Sequence, residues 1–118
     1  MPTLRITSYP KSRAFYVDGL GFSIDWEHRF EPHLPVFMQV SRDDMAFFLT
    51  EHAGDCPPGG LIHLYVADVD KWFEEFLARG VPVREPPNEG LPSLRSMSIV
   101  DPDGNRIQFH TRLQGWQR

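Results

Sequence analysis

Three oxygen-bearing side chains, Asp101, Asp103 and Asn105, alternate within DPDGNRIQFH, residues 101–110, as the first ligands of a calcium loop would. A calcium loop of that type needs glycine at its sixth place and a bidentate glutamate at its twelfth. Those places hold Arg106 and Arg112, two cations where the ion requires oxygen. A turn explains the same residues: Pro102 presets φ, the aspartates bond nearby backbone, and Gly104 supplies positive φ ahead of an alternating strand. Two histidines, His63 in LIHLYV and His110 at the end of RIQFH, are the remaining groups suited to metal binding or proton transfer. Alternation puts both on one open sheet face. Most isolated strand histidines are hydrogen-bonded structural residues, so the expectation is no catalytic group, no metal and no cofactor, with His63 and His110 as the alternative metal pair. His28, His33 and His52 fall in edge or loop sequence and are expected to face solvent.

The elements that must position these groups occur twice, sixty residues apart. DVDKWFEEFLAR, residues 68–79, places Val69, Trp72, Phe73, Phe76 and Leu77 on one helical stripe, with Asp68 as N-cap and Gly80 past the end. SYPKSRAFYVDGLGF matches it, with Ser8 at the cap, Pro10 in the first turn and Phe15, Tyr16 and Leu20 as the stripe. Before the helices, LRIT puts Leu4 and Ile6 on one face, and LIHLYV opposes Ile62, Leu64 and Val66 to Leu61, His63 and Tyr65. The closing hairpins correspond as well: Phe47 and Leu49 match Ile107 and Phe109 as buried positions, leaving Phe48 and Gln108 equivalent on the other face. WEHRF and PVFMQV in the first half, and PVREP and SLRSMSIV in the second, read as further strands separated by Pro-rich turns.

The expected fold is therefore α+β: two tandem βαβββ modules, residues 1–51 and 61–111, joined by a linker at 52–60 and followed by a tail at 112–118. Together they should form a curved, eight-stranded, U-shaped mixed sheet with its helices on the convex side and a free concave face. One domain suits 118 residues with 41% hydrophobic content. A net charge of −4 disfavours nucleic acid, which calls for a basic face, and tolerates a cationic ligand. No apolar run approaches the roughly 20 residues of a membrane span and the N-terminus has no signal-peptide pattern, so a cytoplasmic protein is expected. The lone Cys56 sits in the loop GDCPPGG as a bystander, Glu74 and Glu75 read as solvated helix surface, and Glu51 and Asp55 stand just before and within the linker. Trp116 lies in a polar tail.

PTLRITS, FYVDGLGFSIDWE, HLYVADVDKWFEEFLARGV and DPDGNRIQF together make the chain resemble the glyoxalase, bleomycin-resistance and extradiol-dioxygenase (vicinal oxygen chelate) superfamily over nearly its whole length. The resemblance implies paired βαβββ modules and, in the enzymes, a divalent metal held by one residue from each of four strands. Those places correspond to Met1, Phe48, Leu61 and Gln108. Thioether, phenyl and isobutyl groups are not suitable donors and one neutral amide cannot hold the ion alone. The resemblance thus points to the bleomycin-resistance-like branch: non-catalytic proteins that sequester an aromatic or cationic compound, a bleomycin-type antibiotic among them, in grooves of a homodimer. It implies a binding set of Trp26, Phe30, Phe37, Gln39, Phe48, His63, Tyr65, Arg95 and Gln108, with Asp25 and Glu27 facing a cation. Many members carry Pro-Trp-Gly before an arginine on the ligand site; here Pro92, Ser93, Leu94 and Arg95 stand there, which favours a different planar or amphipathic ligand. The alternative is a metal-dependent lyase, isomerase or dioxygenase of the same superfamily with a relocated site. A structural or regulatory dimerisation module with an unused cleft is a third reading.

Overall fold

Local chemistry starts both helices as the sequence predicts. In a computed structural model of the chain, which describes residues 2–54 and 59–113, the Ser8 side chain accepts from the Lys11 backbone N–H at the start of α1 (Tyr9–Arg13), and Pro10 lies in the first turn. The helix then widens into a π-helical segment, Ala14–Gly19, where the Leu20 N–H reaches back five residues to the Phe15 carbonyl. Asp68 caps α2 (Val69–Ala78) by accepting from the N–H groups of Asp70 and Lys71, and Gly80 ends it at φ 76°. Val69 and Phe76 are buried, and Trp72 and Phe73 pack against the core. Leu77, expected on the stripe, is exposed instead, because it lies about 100° around the helix from Phe76.

The strands are β1 (Thr3–Arg5), β2 (Ser23–His28), β3 (Phe37–Arg42), β4 (Met45–Thr50), β5 (Leu61–Tyr65), β6 (Glu85–Asn88), β7 (Leu94–Val100) and β8 (Arg106–Arg112). They form two four-stranded mixed sheets of matching order, β1-β4-β3-β2 and β5-β8-β7-β6, so the duplicated βαβββ unit is present. In each sheet the first pair is parallel and the other two are antiparallel. Leu4, Ile6, Phe47, Leu49, Ile107 and Phe109 are all buried, as their alternation requires. The strand expected at PVREP is shifted: β6 runs over EPPN, residues 85–88. Two prolines are tolerated there because β6 is an edge strand and pairs only with β7. Met1, Asp55, Cys56 and Trp116 lie outside the described residues.

The modules meet through their helix-bearing sides. The Tyr16 hydroxyl donates to Asp101 Oδ2 at 2.7 Å, and Asn105 Nδ2 donates to the Arg5 carbonyl and to the same carboxylate oxygen. Asp101 Oδ1 accepts from the backbone of Asp103 and Asn105, so the turn first weighed as a calcium loop is a structural latch. At the pseudo-equivalent seam Arg42 binds both oxygens of Glu75, at 2.6 and 2.8 Å, and lies over the Trp72 ring at 4.0 Å. Gly21, at φ 78°, is needed there, since a Cβ would come within 2.7 Å of Arg42 Nη1. The molecule is elongated, 51 × 30 × 23 Å. Its radius of gyration of 14.9 Å exceeds the roughly 13.5 Å of a compact chain this long. Both sheets keep one face clear of the helices.

Candidate functional site

On the open face of the first module, the pairing of β2 with β3 determines which side chains appear. Ile24 faces Val40 while Trp26 faces Gln39, so Asp25 is one extra residue, a β-bulge. Strict alternation would send Trp26 to the core side with Ile24; the bulge turns it outward. Its ring centroid then lies 5.7 Å from Phe37 and 5.9 Å from Phe48, which are 5.1 Å apart. This triad is an aromatic wall, and Trp26 keeps 42% of its surface exposed. Asp25 stands on the same face and accepts from Gln39 Nε2 at 2.9 Å and Ser41 Oγ at 2.8 Å. Of the predicted set, Trp26, Phe37, Gln39 and Phe48 are thus brought together.

The corresponding face of the second module is polar. One row across its strands reads Glu85, Ser98, Gln108 and His63, and the next reads Asn88, Ser96, His110 and Tyr65. The matching first-module rows are Trp26, Gln39, Phe48, Thr3 and His28, Phe37, Thr50, Arg5. A cavity of about 230 Å³ opens over Glu85, Asn88, Leu91, Ser96, Ser98 and Gln108. His110, 2% exposed, holds Ser96 Oγ at 2.6 Å from its Nδ1 and His63 Nδ1 at 2.9 Å from its Nε2. Either the hydroxyl donates to Nδ1 and Nε2–H donates to His63, or the whole chain of bonds runs in reverse. Burial first, and the neighbouring His63 second, hold His110 below the ordinary histidine range. Tyr65 lies against His110, and the Arg112 guanidinium lies over Tyr65.

Three residues expected at the site are elsewhere. Arg95 pairs with Thr111 on the helix side, where it binds Asp70 with Nε and Nη2, and Asp70 and Glu89 raise its pKa in that order. The pleat puts it on the opposite face from Ser96. Glu27 pairs with Met38 and accepts from the Tyr9 hydroxyl, because the bulge reverses its facing as well. Phe30, 77% exposed, follows β2 in the loop and touches His28 rather than the triad. His28 and His33 are exposed as expected and His52 is partly so. The residues that sequence reasoning missed are Glu85, Ser96 and Ser98; the signal was SLRSMSIV, whose serines fall on alternate positions opposite Met97 and Ile99.

Of the superfamily's metal positions, Phe48, Leu61 and Gln108 lie on the open faces. No cluster of three or more His, Cys, Asp or Glu suited to a metal occurs among the described residues. No helix among them is long and apolar enough to cross a membrane.

Comparison with known proteins gives one consistent grouping. A family model described as glyoxalase superfamily protein matches residues 1–116. YraH of Bacillus subtilis (strain 168) is 30% identical over 121 residues, covering 93% of this chain and 94% of that protein. Among solved structures, TnmS3, an antibiotic binding protein from Streptomyces sp. CB03234, is similar at TM-score 0.77 and 26% identity, over 93% of this chain and 91% of that one. A glyoxalase/bleomycin resistance protein from the same organism is similar at TM-score 0.75 and 27% identity, over 92% and 96%.

Proposed function

The chain belongs to the glyoxalase superfamily, and on that footing we propose that it is a non-catalytic binding protein for a flat aromatic compound. The observation that carries this reading is the triad of Trp26, Phe37 and Phe48 on a face no helix covers. Each ring that stacks on a planar ligand contributes on the order of 1 kcal/mol beyond burial, so three adjacent rings make a useful platform. That TnmS3 is an antibiotic binding protein supports a small-molecule ligand, and a bleomycin-type antibiotic is included in the proposal.

The working form is a homodimer. Trp26, Leu61 and Tyr65 leave apolar surface exposed on the open faces, and a second copy placed across a twofold axis would cover it. The aromatic face of one subunit would then oppose the polar face of its partner, enclosing two equivalent grooves. Light scattering should give the mass of a dimer. Calorimetric titration with a panel of flat aromatics, including a bleomycin-type antibiotic, should give saturable binding, with the compound recovered unchanged. Turnover of a bound compound would overturn the reading.

The alternative of a metal-dependent lyase, isomerase or dioxygenase rests on the bonded pair His63 and His110. In the observed arrangement each ring directs a nitrogen at the other, and the phenyl and isobutyl groups of Phe48 and Leu61 donate nothing. About one divalent ion per chain after gentle purification would favour the enzyme.

A further inference from the structure

Polar groups on the open faces divide into those with partners and those without. Asp25, Gln39 and Ser41 satisfy one another on the first module, and Ser96, His110 and His63 do so on the second. The other three members of the row that holds His63 do not. Ser98 is 2% exposed, and its Oγ has no hydrogen-bond partner among the described residues. The Glu85 carboxylate and the Gln108 side chain likewise make no ion pair or hydrogen bond among the described residues. Glu85 pairs with Ser98, and Ser98 with Gln108, so the three side chains stand on three successive strands, with neighbours roughly 5 Å apart at Cβ. All three line the same cavity of about 230 Å³.

An orphaned buried hydroxyl costs about 1–3 kcal/mol, and a fold that keeps one has left a partner to be supplied. The available acceptors are a carboxylate, an amide oxygen and a hydroxyl oxygen, which together fit the three N–H donors of a primary ammonium. An anion is disfavoured by the unpaired charge of Glu85. We propose that Glu85, Ser98 and Gln108 form a subsite for a protonated amine, so that the ligand is an aromatic compound carrying a cationic amino group. This rests on the aromatic-binding reading above and adds the ligand's second half. The cavity has room for an aminoalkyl arm or one small ring, while the flat portion lies on the triad.

The test compares naphthylmethylamine, methylnaphthalene and naphthoate by calorimetry at pH 7, with wild type, Glu85→Gln and Ser98→Ala. The amine should bind wild type about tenfold more tightly than the neutral hydrocarbon, as charge-assisted hydrogen bonds require, and naphthoate should bind weakest. Glu85→Gln should remove most of the amine's advantage and leave methylnaphthalene unchanged, which also shows that the variant is folded. Ser98→Ala should reduce the advantage by a smaller factor. Binding of methylnaphthalene with no preference for the amine, or a preference that survives Glu85→Gln, overturns this proposal alone. Failure of all three compounds to bind overturns it together with the aromatic-binding reading.

Discussion

The hydroxyl of Tyr16 and the carboxylate of Asp101 meet at 2.7 Å inside the seam between the modules, joining the first helix to the last hairpin. Burial, then the charge and hydrogen bond of Asp101, raise the tyrosine's pKa well above its usual value, so the donor keeps its proton at any working pH. Tyr16→Phe removes the donor and leaves Asp101 Oδ2 with Asn105 alone. Chemical denaturation should show a loss of about 1.5–3 kcal/mol, the worth of a hydrogen bond to a charged group. Affinity for aromatic ligands should stay the same, because the seam is behind the binding face. An unchanged unfolding free energy would remove the latch from the account of stability.

Truncating the wall at its outermost ring tests the aromatic platform. Trp26→Ala should weaken a flat aromatic ligand about tenfold, corresponding to roughly 1.4 kcal/mol. Trp26→Phe should recover most of that loss. Because Trp26 is already half in solvent, the melting temperature should move little. Equal affinity in wild type and Trp26→Ala would move the ligand off this face.

Stability should fall as the solution is acidified from neutrality. His110 is held below the ordinary histidine range when folded, and it returns to about 6.5 when the chain unfolds. The unfolded chain then binds a proton that the folded chain refuses, so this contribution is complete above about pH 6.5 and is lost as pH falls toward the folded pKa. Denaturation at a series of pH values between neutrality and pH 5 should show the slope, and His110→Gln should flatten it. Identical slopes in the two proteins would mean that other groups carry the dependence.

Mixing two defective chains asks which subunit supplies which wall. If each groove pairs the first module of one chain with the second module of its partner, a heterodimer of Trp26→Ala and Glu85→Gln chains contains one groove with both lesions and one intact groove. Differently tagged chains, refolded together and separated, should bind the aromatic amine with wild-type affinity at half the wild-type stoichiometry. Uniformly weak binding would instead place both walls of a groove in one chain.

Much of this was legible in the sequence because a half-buried strand records its facing in every second residue. Phe47, Leu49, Ile107 and Phe109 are examples, and the sixty-residue repeat checked each assignment against its copy. What escaped depended on events across strands. The register slip at Asp25 depends on how β2 pairs with β3, so the orientations of Trp26 and Glu27 could not follow from alternation alone. Arg95 was misplaced by counting from a motif, although its neighbours Leu94 and Ser96 mark the other face. Ser98 was marked only by the alternating serines of SLRSMSIV, and Glu85 carried no signal, since an acidic residue on a strand usually means solvent.

The bulge at Asp25 makes the lining of the first open face a matter of strand register rather than side-chain identity. No substitution at position 26 carries the ring across the sheet, whereas straightening the bulge at constant length would set Trp26 opposite Met38 and turn it inward, with Glu27 outward; deleting Asp25 would keep both facings by plain alternation. A one-residue slip of β2 against β3 is therefore the event by which a module of this design can gain or lose an aromatic wall in one step. Its copy carries a register shift at the matching edge, between Glu85 and Asn88 in β6, and there the device lines a polar face.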